Sequence, residues 1–216
     1  MLEIVKAAAP PRQKPISQHR TLVLNKNNRP FVYPPLILNA QQTAIALMLG
    51  RVEVVEMSES YLMGHNYHVM LPKVVRLRQS VARSLFRKAA FSPRALLIRD
   101  RNTCQYTGNW VQFGDGDINH AATVEHVLPR AQGGENTWEN TVIACYAINN
   151  FKGNRTPEEA GLTLRIRPWV PTMKDMLHLW LTDPRQKDTI QPEWQEHLKV
   201  EPTDTGKRMI DLALAA

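Results

Sequence analysis

The chain has 216 residues, 43% hydrophobic and 22% charged, with a formal net charge of +7. This length supports one good core, or one core with a smaller attached unit. Two cysteines argue against a disulfide scaffold. The lack of any run near about eighteen apolar residues argues against a membrane-spanning helix, and no apolar leader precedes residue 15, so a soluble cytoplasmic protein without a membrane partner is expected.

Residues 1–20, with PPRQKP and no apolar periodicity, read as a flexible basic arm. TLVLN (21–25) reads as a strand, and Pro30, Pro34 and Pro35 punctuate the loop that follows. The spacing over 40–49 predicts a helix with Gly50 closing it, followed by a strand over 52–55 and extended chain over 69–77. From Lys73 to Arg101, nine basic residues stand against one acid, Asp100, for a local net charge of +8. Such clustering suits contact with nucleic-acid phosphates, and a solvated surface is the plainer alternative.

Ser92 and Pro93 form a cap and first helical position, opening a short helix to about Arg99. ATVEHVL (122–128) is a β-type run, and PRAQGGEN (129–136) is a Gly-rich turn closing a hairpin or a long loop. The run 137–152, with Val142, Cys145, Tyr146 and Asn149 at helical spacing, predicts a helix. Thr156 and Pro157 open another short helix that ends at Gly161. A strand over 162–166, a helix over 172–181 and a short helix over 192–198 complete the reading. Trp169, Trp180 and Trp194 read as core aromatics, and His65 and His68 lack a third ligand nearby.

Glu125 and His126 adjoin at the end of the β-type run, with Asn140 and Asn149 downstream. Phosphodiester hydrolysis needs a base to take a proton from water and a cation to neutralise charge on the phosphate. An imidazole suits the first task, and carboxylate and amide oxygens suit a hard ion such as Mg²⁺. Strand neighbours point to opposite faces, so Glu125 and His126 serve one site only if the strand ends or twists there.

The order of three segments, FSPRALLIRDRNTCQYTG (91–108), TVEHVLPRAQGGENTWENTVIAC (123–145) and NNFKGNRTPEEAGLTL (149–164), resembles the HNH endonuclease family. Residues 21–56 are similar to the N-terminal extension of its bacterial members. The resemblance implies an α+β fold, with a ββα-metal (HNH) nuclease core, an α/β N-terminal extension and a C-terminal helical extension. The expected divisions are 1–20, 21–91, 92–170 and 171–216. It further implies His126 as general base and Asn140 as the central asparagine that holds the loop. Glu125, where members usually have Asp or His, and Asn149 become ligands of one Mg²⁺ or Mn²⁺.

Lys152 falls where a basic residue often meets phosphate, and Arg155, Arg130, Arg76, Arg78 and Arg83 are the further DNA contacts expected. Many relatives hold a structural zinc in two CxxC pairs. Here these read Cys104-Gln105-Tyr106-Thr107 and Cys145-Tyr146-Ala147-Ile148, so the zinc is expected to be absent. The expected function is a metal-dependent endonuclease that nicks or cuts double-stranded DNA, leaving 5′-phosphate and 3′-hydroxyl ends; a palindromic cutter would be a homodimer. The alternatives are a catalytically weak or inactive DNA-binding protein of HNH shape and, least supported by two cysteines, a zinc-ribbon-like adaptor.

Overall fold

The computed structural model describes residues 4–5, 16–63, 68–81, 85–186 and 188–215. The chain forms two compact units, Met1–Leu85 with Arg185–Lys199, and Phe86–Pro184 with Val200–Ala216. The stretch expected as a separate C-terminal extension is thus divided between them. Most of the expected arm, and Arg83 with it, lies outside the described residues.

The first unit is built on a sheet. Its strands are β1 (Ile4–Val5), β2 (Arg20–Leu24), β3 (Ile37–Asn39), β4 (Val52–Met63) and β5 (His68–Leu77). Strand β5 is central, with β4 antiparallel on one edge, and parallel β2 and antiparallel β1 on the other. Thr21, Leu22, Val23 and Leu24 are all buried, as suits a β-branched run covered on both faces. Val23, Phe31, Val52 and Val75 form one core cluster.

Helix α1 (Ala40–Met48) starts at a capping box, in which the Gln42 amide donates to Asn39 Oδ1 (2.9 Å) and the Asn39 amide to Gln42 Oε1 (3.0 Å). Strand β4 runs well past the expected four residues because its register with β5 shifts between Val54 and Tyr61, which breaks the simple alternation. Its acids face basic residues of β5 and Arg78, which follows that strand. Glu53 lies 3.0 Å from Arg76 and 3.8 Å from Arg78, and Glu56 2.9 Å from Lys73.

The second unit holds α2 (Pro93–Arg99), β6 (Ala122–His126), β7 (Thr141–Cys145), α3 (Tyr146–Lys152), α4 (Met173–Leu181) and α5 (Asp204–Ala215). The helix expected over 137–152 does not form as one element. Its first part is a loop, Thr141–Cys145 is a strand antiparallel to β6, and only the last seven residues are helical. Five successive buried positions led by Thr141, Val142 and Ile143 favour a strand, and pairing with β6 decides the outcome over the helical spacing. The helix expected after Pro157 is a single turn closed by the Glu159 carboxylate on the Thr156 amide (2.7 Å), and 162–166 forms no strand.

Strand β7 is held on its other edge by a buried ion pair. The Arg99 guanidinium grips Asp100 at 2.7 and 3.1 Å and donates to the carbonyls of Trp138, Thr141 and Trp169. Asp100 accepts the Ile143 amide at 2.7 Å. Burial pushes the Asp100 carboxyl up, opposed by Arg99 and the Ile143 amide. Arg99, one of the nine basic residues of the charged segment, is therefore a core cation rather than a surface one. Asp175 plays a similar part for α4 and α5: its carboxylate accepts from Thr172 and Thr203, and a Cβ on Gly206 would come within 2.0 Å of it.

Candidate active site

Strands β6 and β7 and helix α3 make one ββα unit. Thr123 and Glu125 share a face of β6, and Asn149 and Lys152 share a face of α3. The two faces meet. Asn149 Nδ2 donates to Thr123 Oγ1 (2.9 Å), which donates onward to the Ala144 carbonyl (3.0 Å). Lys152 Nζ lies 2.6 Å from Glu125 Oε1 and donates to the His126 carbonyl at 2.8 Å. Lys152 is 0% exposed and Glu125 4%.

Lys152, expected to reach phosphate, is thus a buried counter-ion for the expected ligand Glu125. A basic residue near a helix end reads as surface in a sequence, and the pairing is set by the packing of α3 on β6. Burial pushes the Glu125 carboxyl up, and the Lys152 ammonium pulls it down.

His126 is the last residue of β6, where the strand gives way to the loop. Its Nε2 lies 2.6 Å from Asn136 Oδ1. Asn140 clasps that loop: its Oδ1 accepts the Leu128 amide (2.8 Å), and its Nδ2 donates to the carbonyls of Leu128 (3.1 Å) and Glu135 (3.0 Å). Gly134 is required for the clasp, because a Cβ there would lie 1.8 Å from the Leu128 carbonyl oxygen and 2.8 Å from Asn140 Nδ2.

Sequence reasoning misses Asn136 and Tyr106. Asn136 lies in a Gly-rich turn, where its residue type suits the turn itself and so gives no separate signal. The Tyr106 hydroxyl is buried with no hydrogen-bond partner among the described residues, and burial together with the Glu125 and Cys104 charges raises its pKa. Nothing in the sequence links Tyr106 to Glu125.

Mg²⁺ takes hard oxygen ligands and is commonly held by one or two protein groups, with waters and phosphate completing its shell. The Glu125 carboxylate, paired with Lys152, and Asn149 Oδ1, which accepts no hydrogen bond among the described residues, are oxygen donors of that kind. No group of three or more His, Cys, Asp or Glu able to hold a metal occurs among the described residues. The two cysteines are buried free thiols that neighbour each other. Burial raises the Cys104 thiol, but hydrogen bonds from the Thr107 hydroxyl and nearby amides outweigh it and leave the pKa lowered; burial and the Cys104 neighbour raise that of Cys145. Thr107 and Ile148 cannot replace thiolates on zinc.

The remaining expected DNA-binding residues form no hydrogen bond or ion pair with the side chains of Glu125, His126 or Asn149 among the described residues. Arg130 is exposed on the turn Arg130–Gln132, and Arg155 is exposed above the Phe151 ring at 5.1 Å while bonding the Phe151 and Lys152 carbonyls. Arg76 and Arg78 belong to the first unit and pair with Glu53.

The family model for HNH endonuclease matches residues 116–164, the stretch that carries β6, β7, α3 and the clasped loop. That for the HNH endonuclease-associated N-terminal domain matches residues 21–84, which hold β2 to β5 of the first unit. A comparison with the curated proteins finds no match. No helix among the described residues is long and apolar enough to cross a membrane. The ββα unit and these two matches, in this order along one sequence, make the chain a member of the HNH endonuclease family.

Proposed function

We propose that this protein is a divalent-metal-dependent endonuclease acting on double-stranded DNA, with His126 as general base and Glu125 and Asn149 as ligands of one Mg²⁺ or Mn²⁺. The observation that carries the reading is His126 at the end of β6, oriented by Asn136 at 2.6 Å and one residue from a buried carboxylate. Because Asn136 presents an acceptor, His126 Nε2 carries the proton and Nδ1 is left to take one from water. Asn140 and Gly134 fix the loop that bears Asn136, and so act on the base through its position. Lys152 holds Glu125 in place and ties it to the His126 carbonyl. A cation bound by Glu125 and Asn149 would neutralise charge on the phosphate and on the departing oxygen. No structural zinc belongs to this reading, since Arg99 and Asp100 already fasten β7.

A second reading, a DNA-binding protein with weak or no catalysis, draws on one observation: the Lys152 ammonium already neutralises the carboxylate expected to hold the metal. Supercoiled plasmid incubated with Mg²⁺ or Mn²⁺, and with EDTA as control, separates the two. The nuclease reading predicts metal-dependent relaxed or linear product with 5′-phosphate ends. Retained DNA binding without product in any metal supports the second reading.

A further inference from the structure

The second unit contains a half-open cavity of about 230 Å³, lined by Arg101, Arg165, Arg167, Trp169, Leu179 and Ile210 among others. It lies across β7 from the catalytic cluster. Strand β6 occupies one edge of β7, whereas Asp100 and Gln105, which line the cavity, bind Ile143 on the other edge.

Its charge is one-sided. Asp100 is the only acid in the lining, and it is spent on Arg99 and the Ile143 amide. Arg101, Arg165 and Arg167 form no ion pair with any acid among the described residues. One of them is held in a prepared place. A Cβ on Gly108 (φ +79°) would lie 2.6 Å from Arg165 Nη1, so the missing side chain makes room for the guanidinium. The same lining carries the apolar side chains of Trp169, Leu179 and Ile210. Trp169, expected to be a core aromatic, is only partly buried.

Three unpaired guanidinium groups and one indole in the same lining suit a phosphate joined to a flat base. The space is smaller than the roughly 300–1,000 Å³ of common ligand pockets, which limits the occupant to about one nucleotide. We propose that this cavity binds a nucleotide 5′-phosphate, its phosphate on Arg101, Arg165 and Arg167 and its base against Trp169. The source is either a free mononucleotide or the phosphorylated end of a DNA strand. The site does not depend on the nuclease reading, and its test reads binding rather than cleavage.

Calorimetry on the native chain in EDTA, with a 5′-mononucleotide, its nucleoside and inorganic phosphate, tests the proposal. The nucleotide should bind more tightly than either fragment. Arg165→Gln with Arg167→Gln should weaken it by roughly tenfold or more, while Arg51→Gln, at an exposed arginine outside the cavity lining, should leave it unchanged. Both cavity arginines are exposed, and a melting curve checks the fold; Arg167→Gln alone serves where the double variant melts early. Competition by a duplex with a 5′-phosphate, but not by its unphosphorylated form, assigns a strand end. Competition by neither assigns the free nucleotide. Absence of nucleotide binding at millimolar concentration, or unchanged affinity in the arginine variants, overturns the proposal.

Discussion

The Glu125–Lys152 pair separates two residues that metal-ligand chemistry alone would treat alike. Asn149 is held by a neutral hydrogen bond to Thr123, whereas Glu125 compensates an ammonium that has no exposure. Replacing Glu125 by Ala should therefore cost roughly 3–5 kcal/mol of stability through the stranded Lys152 charge. Asn149→Ala should cost about 1 kcal/mol. Both should weaken metal binding, and excess Mn²⁺ should partly restore cleavage by Asn149→Ala. Denaturant titration and metal calorimetry check the two effects separately. Equal stability of the two variants would mean that Lys152 finds another partner, and unchanged metal affinity in both would put the ion elsewhere.

At the scale of elements, the loop between β6 and β7 depends on a glycine for space rather than for backbone conformation. Gly134→Ala forces the Leu128 carbonyl and the Asn140 amide apart, which should cost about 1–3 kcal/mol and also slow cleavage, since Asn136 lies in the same loop. Unchanged stability and rate would show that the loop yields freely. The cysteine-bearing segments make a second prediction: protein purified in metal-free buffer should carry less than one zinc per chain by elemental analysis. A full zinc that disappears on replacing Cys104 and Cys145 would contradict that reading. These elements also show what is legible in the sequence. The bounds of α2 follow from Ser92 and Pro93, because a cap and a fixed φ act locally. Those of strand β7 do not, because Val142, Cys145 and Asn149 fit a helical period while the bonding edges of β6 and Asp100 lie far away in sequence. Glu125, His126 and Asn149 are legible through the order of family motifs. The burial of Lys152 and the placing of Tyr106 and Asn136 arise only from packing.

Over the whole molecule, the basic segment is less uniform than its net charge suggests. Arg99 is buried, and Lys73, Arg76 and Arg78 face Glu56 and Glu53, whereas exposed Arg87, Lys88 and Arg94 pair with no acid among the described residues. Neutralising Arg87, Lys88 and Arg94 together should weaken binding to all DNA sequences alike and flatten the log–log salt dependence by about 0.9 for each phosphate left without its cation. The same treatment of Arg76 and Arg78 should do less. The reverse order, in a binding titration over several salt concentrations, would move the phosphate grip to the first unit. In the proposed metal-dependent cut, His126 takes the proton from water. Single-turnover cleavage of plasmid by the native chain and by His126→Ala, at saturating Mg²⁺ and Mn²⁺, reads that role. A general-base role predicts a fall of roughly 10² to 10⁴ in rate that excess metal does not restore, with DNA binding and melting temperature kept. A variant within a few-fold of the native rate would contradict it.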